Sequence, residues 1–437
     1  MGAPPRLVRT RVSIPATSRR ERRSRAERRS RRLRRGWWRW LLGVFLLAGL
    51  LAGTVVIQLG RRLPALSLRS SLPASVVVPG VAPVMPWPAA GEAAVFVPAL
   101  GAMASSPGSH AVPIASVTKM MTAFIILSDH PLKLGQQGPS VTITASDVAA
   151  YGNDLGLDES SVPVNVGESL TELQMLEALL IPSANNIANL LATWDAGTTA
   201  AFVAKMNATA RQLGMRSTQY AGPSGYDPGS VSTPGDQLLL AAAAMQDPVF
   251  AWIVDKATIT LPVAGVVSNY NSMLGQDGIV GVKSGFTAQA DGCLVVAATS
   301  VIGGTKGLVY AAVFGQLGMN PLGTAGAADG LLVNAARSAI VRYRVVSPGD
   351  PAGSVQGRWG GSLHSVGAVL TSGATVFAWP GEVVHLRSRP RKLLPGARKD
   401  TPVGYAVVWL GSQQLAVGMR SDAKLPKPSV TWRVMRL

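Results

Sequence analysis

An uncharged apolar stretch near the N-terminus constrains this chain more than any other feature. Residues 41–60 (LLGVFLLAGLLAGTVVIQLG) contain no charged side chain. As a helix rising about 1.5 Å per residue, such a segment spans the roughly 30 Å hydrocarbon core of a bilayer. Tryptophans precede it at positions 37, 38 and 40, as is typical of a membrane interface. The sequence therefore predicts a transmembrane helix over residues 37–60.

The net charge of +18 is concentrated before this helix. Residues 1–40 contain 15 arginines and two glutamates, a local charge of +13, so the rest of the 437-residue chain carries only +5. An arginine excess before a first apolar helix favours a cytoplasmic N-terminus, with residues 1–36 as a cytoplasmic Arg-rich tail. A cleaved signal peptide is the alternative, although its apolar region would be shorter. We expect an uncleaved single-pass anchor in the cell membrane, an extracytoplasmic globular part and no nucleic-acid partner.

The rest of the chain divides by composition. Residues 61–90 are rich in proline and small side chains and predict a linker. Residues 91–343 mix helix-like and strand-like segments, which indicates an α+β domain. Residues 344–437 contain short β-rich runs between Gly/Pro turns, which predict a small antiparallel β-sandwich. Within that part, residues 431–437 also have the pattern of a strand.

A serine and a lysine stand three residues apart at the start of an apolar, helix-like run. Positions i and i+3 share one face of a helix, so the Ser116 hydroxyl and the Lys119 amine can meet. A serine hydroxyl becomes a nucleophile beside a base, and a partly desolvated lysine of lowered pKa can be that base. Alone, this spacing is weak evidence because it arises often by chance.

Two further polar elements interrupt apolar segments. Ser183 and Asn185 lie in a turn between two apolar helices, where they are ordinary helix caps unless they point into a site. Lys283, Ser284 and Gly285 end a strand of a buried hairpin pattern. The lysine would offer a cation and the serine a hydroxyl to a carboxylate. The glycine would let the strand approach a ligand closely.

Together these elements form the ordered set S-x-x-K, S-x-N and K-[ST]-G, which is typical of penicillin-binding proteins and class A β-lactamases. Longer stretches extend the likeness: ASVTKMMTA (115–123), LLIPSANNIANLLA (179–192), KMNATARQLGM (205–215), STPGDQLLLA (232–241) and DGIVGVKSGFT (277–287). Residues 92 to about 325 resemble the serine D-alanyl-D-alanine carboxypeptidases of the peptidase S11 family, the low-molecular-mass penicillin-binding proteins. The resemblance implies a DD-peptidase/β-lactamase-like fold, an antiparallel sheet flanked by helices.

The resemblance also implies a role for each motif residue. Ser116 would attack the D-Ala-D-Ala carbonyl of a peptidoglycan stem pentapeptide while Lys119 takes its proton. Ser183 would relay a proton to the leaving D-alanine, and Asn185 would bind the substrate backbone and help to place Lys119. The implied substrate-binding residues are Lys283, Ser284, Gly285 and Phe286. β-Lactam antibiotics would acylate the same serine as covalent inhibitors.

Some residues depart from the family pattern, and other functions stay open. Ser284 stands where threonine is commoner, Asn186 where aspartate is usual, and the loop after Tyr220 matches only loosely. A β-lactamase is one alternative, although no motif supplies the added carboxylate that its deacylating water usually needs. A catalytically weak peptidoglycan-binding scaffold is the other, and endopeptidase action is a variant of the main interpretation. With one cysteine and no zinc-site spacing among four histidines, neither metal nor cofactor is expected.

Overall fold

The computed structural model of the protein describes residues 1–2, 18–157 and 159–436. The helices are, in chain order, α1 Ser18–Gly60, α2 Lys119–Asp129, α3 Ala145–Gly156, α4 Glu172–Leu180, α5 Asn185–Ala196, α6 Thr199–Gln212, α7 Pro234–Ala244, α8 Pro248–Val254, α9 Pro321–Ser338 and α10 Val430–Met435. The strands are β1 Ser67–Ser70, β2 Ser75–Val77, β3 Glu92–Val97, β4 Ala102–Ser105, β5 Val112–Pro113, β6 Ser140–Thr142, β7 Ser169–Thr171, β8 Val231–Ser232, β9 Thr258–Leu261, β10 Gly265–Ser268, β11 Ile279–Gly285, β12 Gly292–Ile302, β13 Thr305–Gln316, β14 Val341–Val346, β15 Pro351–Trp359, β16 Ser362–Leu370, β17 Ala374–Ala378, β18 Val383–Pro390, β19 Pro402–Leu410 and β20 Gln413–Ser421. Of the expected cytoplasmic tail, residues 3–17 lie outside this description.

Helix α1 contains the segment expected to cross a membrane. Within the described residues, one unbroken helix is long and apolar enough to do so, Trp37–Gly60, with 24 residues and a mean hydropathy of 2.4. None of its most apolar part is buried against the rest of the protein, and side chains such as Phe45 and Leu50 are exposed. A helix that is apolar on all sides requires a nonpolar environment around it. The helix begins at Ser18, so it also includes the end of the arginine-rich segment.

The mixed domain is built around a five-stranded antiparallel sheet in the order β11-β12-β13-β3-β4. Successive residues of β12 alternate between two cores: Cys293 and Val295 pack on one face, Leu294 and Val296 on the other. Burial on both faces explains why this strand is a continuous apolar run rather than an alternating one. Helix α9 packs against one face and α7 against the other.

Helix α2 is the central element of the helical layer. It contacts α4, α5, α6 and α7, and its residues are buried on nearly every side, among them Met120, Met121, Ile125 and Ile126. A helix that is apolar all round is a core helix. Its N-terminus meets the edge strand β11 through a short 3₁₀ turn, Ala115–Thr118. The fold therefore brings the serine–lysine pair to the boundary between the helical layer and the sheet.

The C-terminal part is a β-rich unit with its own apolar core. Its seven-stranded sheet has the order β1-β15-β16-β20-β19-β18-β2, and β14 pairs separately with β17. Side chains from both sheets share one core, including Val346 of β14, Val376 of β17 and Val417 of β20. The arrangement confirms the expected β-rich C-terminal region.

Three expectations about this unit differ from the structure. The supposed linker 61–90 supplies the two edge strands β1 and β2, which pair with β15 and β18. Short strands at a sheet edge carry little pattern of their own, so proline and small residues concealed them. Residues 430–435 form helix α10 instead of a strand. The Ser429 hydroxyl caps this helix by accepting from the Trp432 N–H at 3.1 Å, and arginines at its end bond carbonyl oxygens at the end of α1. The expected boundary at 343/344 also falls inside β14, which pairs with a strand of the C-terminal unit.

Candidate active site

The Ser116 turn is held in a strained backbone conformation. Ala115, just before the serine, has φ 46°, a left-handed value that costs a non-glycine residue energy and occurs often at functional sites. Two glycines lie in close contact with this turn. A Cβ placed on Gly225 would lie 1.9 Å from the Ala115 carbonyl oxygen, and one on Gly285 would lie 2.9 Å from the Ser116 amide nitrogen. Glycine is therefore required at both places for the turn to sit where it does.

Lys119 is fully buried, and its amine meets three partners. Nζ lies 2.7 Å from Ser116 Oγ, 2.5 Å from Asn185 Oδ1 and 2.8 Å from the Ser224 carbonyl oxygen. The two carbonyl oxygens can only accept hydrogen bonds. A neutral amine satisfies them with its two hydrogens and directs its lone pair at the serine hydroxyl. This is the arrangement of a base beside a nucleophile.

Burial and charge set the protonation of the two lysines. Burial, followed by repulsion from Lys283, lowers the pKa of Lys119 well below its usual value, while Glu159 and Asp154 act in the opposite direction. Burial lowers the pKa of Lys283 to about 7. Lys283 donates to the Ser284 carbonyl oxygen at 2.8 Å. A strand-end lysine held in water would show neither feature, so Lys283 is part of the interior of the site.

The turn between α4 and α5 presents the second motif. Ser183 has φ 63°, it is buried, and among the described residues its Oγ has no hydrogen-bond partner. A buried hydroxyl without a partner is unfavourable unless another group completes it. Asn186, one of the departures, accepts from the Val162 N–H at 3.2 Å and donates to its carbonyl oxygen at 2.9 Å. Asn186 therefore fastens a neighbouring loop.

These groups surround one cleft of about 470 Å³. Six of the eight residues expected from the sequence line it: Ser116, Ser183, Asn185, Ser284, Gly285 and Phe286. The other two, Lys119 and Lys283, are buried. The structure thus brings the three motifs, far apart in sequence, to a single place.

Sequence reasoning missed other residues of the cleft. Glu159, Tyr226 and Tyr270 line it, and Glu159 Oε2 accepts from Asn185 Nδ2 at 2.5 Å. The carbonyl of Ser224 holds Lys119. No sequence signal identifies Ser224, because a backbone carbonyl belongs to every residue. Glu159 lies in a polar segment without periodicity, where one acid is not distinguished from its neighbours.

Known proteins resemble this chain in sequence. The model of the family Peptidase S11, D-alanyl-D-alanine carboxypeptidase, matches residues 102–315. The D-alanyl-D-alanine carboxypeptidase DacB2 of Mycobacterium tuberculosis is 34% identical over 210 residues, which cover 46% of this chain and 67% of the relative. A D-alanyl-D-alanine endopeptidase of Pseudomonas aeruginosa is 34% identical over 198 residues, covering 43% of this chain and 60% of the relative.

Solved structures extend the comparison to the fold. The DD-transpeptidase of Streptomyces K15 superposes with a TM-score of 0.50 at 25% identity, covering 60% of this chain and 98% of that protein. Penicillin-binding protein 5 of Haemophilus influenzae superposes with a TM-score of 0.56 at 20% identity, covering 80% of this chain and all (100%) of that protein. The second comparison concerns the fold alone. The chain therefore belongs to the peptidase S11 family of serine-type D-alanyl-D-alanine carboxypeptidases.

Proposed function

We propose that this protein is a serine D-Ala-D-Ala carboxypeptidase that removes the terminal D-alanine from peptidoglycan stem pentapeptides. The observation that carries the proposal is the 2.7 Å contact between Lys119 Nζ and Ser116 Oγ, within a set of partners that suits a neutral amine. Family membership favours this activity over the two alternatives, a β-lactamase and a catalytically weak scaffold.

Acylation begins with the serine. Lys119 takes the hydroxyl proton of Ser116 as the oxygen attacks the carbonyl of the D-Ala-D-Ala bond. The N–H groups of Ser116 and Phe286 stabilise the oxyanion, a role in which the loss of one donor typically costs about 10²–10³ in rate. Gly285 supports this arrangement because it has no side chain, which lets β11 lie against the 3₁₀ turn Ala115–Thr118, the nucleophile turn.

The second motif serves the leaving group. Ser183 Oγ, buried and without a partner among the described residues, relays a proton to the departing D-alanine amine. Asn185 donates to the substrate backbone and holds Lys119 through its Oδ1 atom. Water then hydrolyses the acyl-enzyme and releases Ser116.

The third motif recognises the substrate's free carboxylate. The Lys283 ammonium and the Ser284 hydroxyl bind it, since a charged donor and a neutral donor together suit a carboxylate. A β-lactam offers a carboxylate and a strained amide in similar positions, so it acylates Ser116 and inhibits the enzyme.

Helix α1 anchors the enzyme in the cell membrane. Its exposed apolar segment Trp37–Gly60 crosses the bilayer, and the arginines before it hold the N-terminus in the cytoplasm. The catalytic domain then lies outside the cytoplasm, close to peptidoglycan. Protease added to intact spheroplasts should digest the catalytic domain, whereas full protection would contradict this topology.

The activity is tested by release of D-alanine from a pentapeptide ending in D-Ala-D-Ala, with the full chain solubilised in detergent. Wild-type protein should release D-alanine and take up a fluorescent penicillin covalently, and Ser116→Ala should do neither. The matched control is Ser128→Ala, an exposed serine near the end of α2 whose hydroxyl donates to the Phe124 carbonyl oxygen. A label that persists on Ser116→Ala would overturn the assignment. Rapid turnover of nitrocefin would favour the β-lactamase, and release from a cross-linked dimer would add endopeptidase activity.

A further inference from the structure

The active-site cleft contains a carboxylate that belongs to none of the three motifs. Glu159 follows α3 in the segment that leads to β7, is partly buried, and lines the cleft together with Ser116 and Asn185. Its Oε2 atom accepts from Asn185 Nδ2 at 2.5 Å. The opposite atom of the same amide, Asn185 Oδ1, accepts from Lys119 Nζ at 2.5 Å. Glu159 is therefore joined to the catalytic lysine through a single side chain.

The side-chain amide of an asparagine can rotate by half a turn, so that its oxygen and its nitrogen exchange positions. In the reversed orientation its NH₂ group would point at Lys119, which would lose an acceptor and meet a donor. An ionised carboxylate accepts and cannot donate, so it favours the orientation with Nδ2 toward Glu159 and Oδ1 toward the lysine. We propose that Glu159 is a positioning residue: its carboxylate fixes the amide of Asn185 and through it directs the amine of Lys119 onto Ser116.

The segment around Glu159 is itself fastened to the start of α5. The Asn185 N–H donates to the Ser160 carbonyl oxygen at 2.7 Å. The Asn186 side chain bonds both backbone groups of Val162. The backbone that follows Glu159 is thus hydrogen-bonded to the second motif. A carboxylate held in this way can orient its partner at little cost in conformational entropy.

The charges around Lys119 provide a second way to detect the role of Glu159, through the pKa of Lys119. Lys119 is faced by Lys283, which favours its neutral form, and by Glu159 and Asp154, which favour its charged form. Burial and then Asp154 raise the pKa of Glu159 above its usual value, against the Asn185 hydrogen bond and Lys119. Asp154 in turn accepts from Ser161 Oγ at 2.7 Å. Replacing Glu159 by a neutral residue removes an anion from this group, so the pKa of Lys119 should fall further.

The inference rests on the proposed function and predicts two separable effects on acylation by penicillin. Glu159→Ala removes the acceptor and should lower the second-order acylation rate constant by about 10–100-fold, the scale expected when a catalytic group is slightly misplaced. Glu159→Gln removes the charge and should move the acidic limb of the pH profile to lower pH, because the neutral form of Lys119 then persists there. Glu159→Asp keeps the charge and should leave that limb near its wild-type position.

The matched control is Glu168→Gln, an acid of the same connecting segment whose carboxylate accepts from the Asn165 N–H within its own turn. Thermal melting of each variant checks that it is folded. If folded Glu159→Ala and Glu159→Gln acylate like the wild type with an unmoved acidic limb, the inference is wrong. It is also overturned if Glu159→Gln acylates normally and accumulates acyl-enzyme, since Glu159 would then act in deacylation. Failure of wild-type protein to react with penicillin would instead reject the proposed function.

Discussion

At the scale of single residues, two buried lysines divide the chemistry. In the proposed mechanism, Lys119 must be neutral to accept the serine proton, and Lys283 must be charged to bind a carboxylate. Both pKa values are lowered by burial, and that of Lys119 is lowered further by the charge of Lys283. Because the two ammonium groups repel each other, a charged Lys283 favours the neutral form of Lys119, so one lysine can be a base while the other is a cation.

This division predicts the pH dependence of kcat/KM. Lys283 has a pKa lowered to about 7, so it loses its charge as pH rises through that value, and binding of the D-Ala-D-Ala carboxylate should weaken. Lys283→Arg keeps a charge at every working pH and should move the alkaline limb of the profile upward. The control is Lys306→Arg, an exposed lysine of β13. A folded Lys283→Arg enzyme with an unchanged alkaline limb would contradict the assignment.

At the scale of elements, the site depends on the contact between β11 and the nucleophile turn. Gly285↔Cys293 is the last register pair of β11 with β12, and the strand ends against the backbone of Ser116 and Val117. Each of their amide nitrogens would lie 2.9 Å from a Cβ placed on Gly285. The sequence indicated that this glycine lets the strand approach a ligand, and the structure shows that it also lets the strand approach the nucleophile turn.

Gly285→Ala should therefore separate the strand from the serine without unfolding the protein. We expect acylation by penicillin to fall by about 10²-fold, the usual cost of misplacing a reacting group by about 1 Å. Gly307→Ala is the matched control, since a Cβ at that strand position of β13 meets nothing within 4 Å. Equal acylation rates for the two variants would show that the close approach is dispensable.

A second element-scale contact joins the C-terminal helix α10 to the end of α1. Arg436, just after α10, donates to the carbonyl oxygens of Gln58 and Arg61 at 3.0 and 2.8 Å, at the end of α1. Its guanidinium also lies 5.5 Å from the ring of Trp432. Cations stabilise a helix C-terminus because its last carbonyls carry partial negative charge. The short helix α10 is thus fastened to the end of the proposed membrane anchor.

Arg436→Ala should release α10 from α1. We expect faster amide hydrogen exchange in residues 430–436 of the detergent-solubilised chain, with exchange in the catalytic domain unchanged. Arg387→Ala, which removes an exposed arginine of β18, should leave α10 protected. Unaltered exchange at α10 in Arg436→Ala would mean that other contacts hold it.

At the scale of the whole molecule, the β-rich unit is docked on the catalytic domain. Trp379 is almost fully buried, at 3% exposure, and its Nε1 donates to the Ala336 carbonyl oxygen in α9 at 3.0 Å. Gln413 donates to the Ala99 carbonyl oxygen at 3.2 Å. Strands β1 and β2 of the β-rich unit precede the catalytic domain in sequence. The catalytic domain is therefore inserted between two parts of the β-rich unit.

Removal of the buried tryptophan should loosen this docking. Trp379→Ala should destabilise the protein by about 3–5 kcal/mol, the usual range for truncating a buried aromatic side chain, and lower the midpoint of thermal unfolding. The control is Trp252→Ala, because Trp252 is 42% exposed and should cost much less. Equal shifts in the midpoint for the two variants would argue against a structural role for the interface.

Much of the fold and of the candidate site could be predicted from the sequence, because the signals lie in short stretches of consecutive residues. The uncharged run before Gly60 is continuous, and each motif is a cluster of three or four residues beside an apolar segment. The family, the fold class and the apolar helix that ends at Gly60 followed from them. Strands β1 and β2 and helix α10 could not be predicted in this way. Each is short, and it acquires its structure from a partner hundreds of residues away.

The sequence by itself determined which motifs the chain contains and that residues 37–60 are apolar enough to cross a bilayer. Tertiary structure alone decided how the side chains of those motifs work: that Lys119 is buried among acceptors, that Lys283 lies close enough to repel it, and that Glu159 meets Asn185. The physical reason is distance. Motifs record residue types along the chain, whereas a pKa and the orientation of an amide depend on groups that only folding brings within a few ångströms.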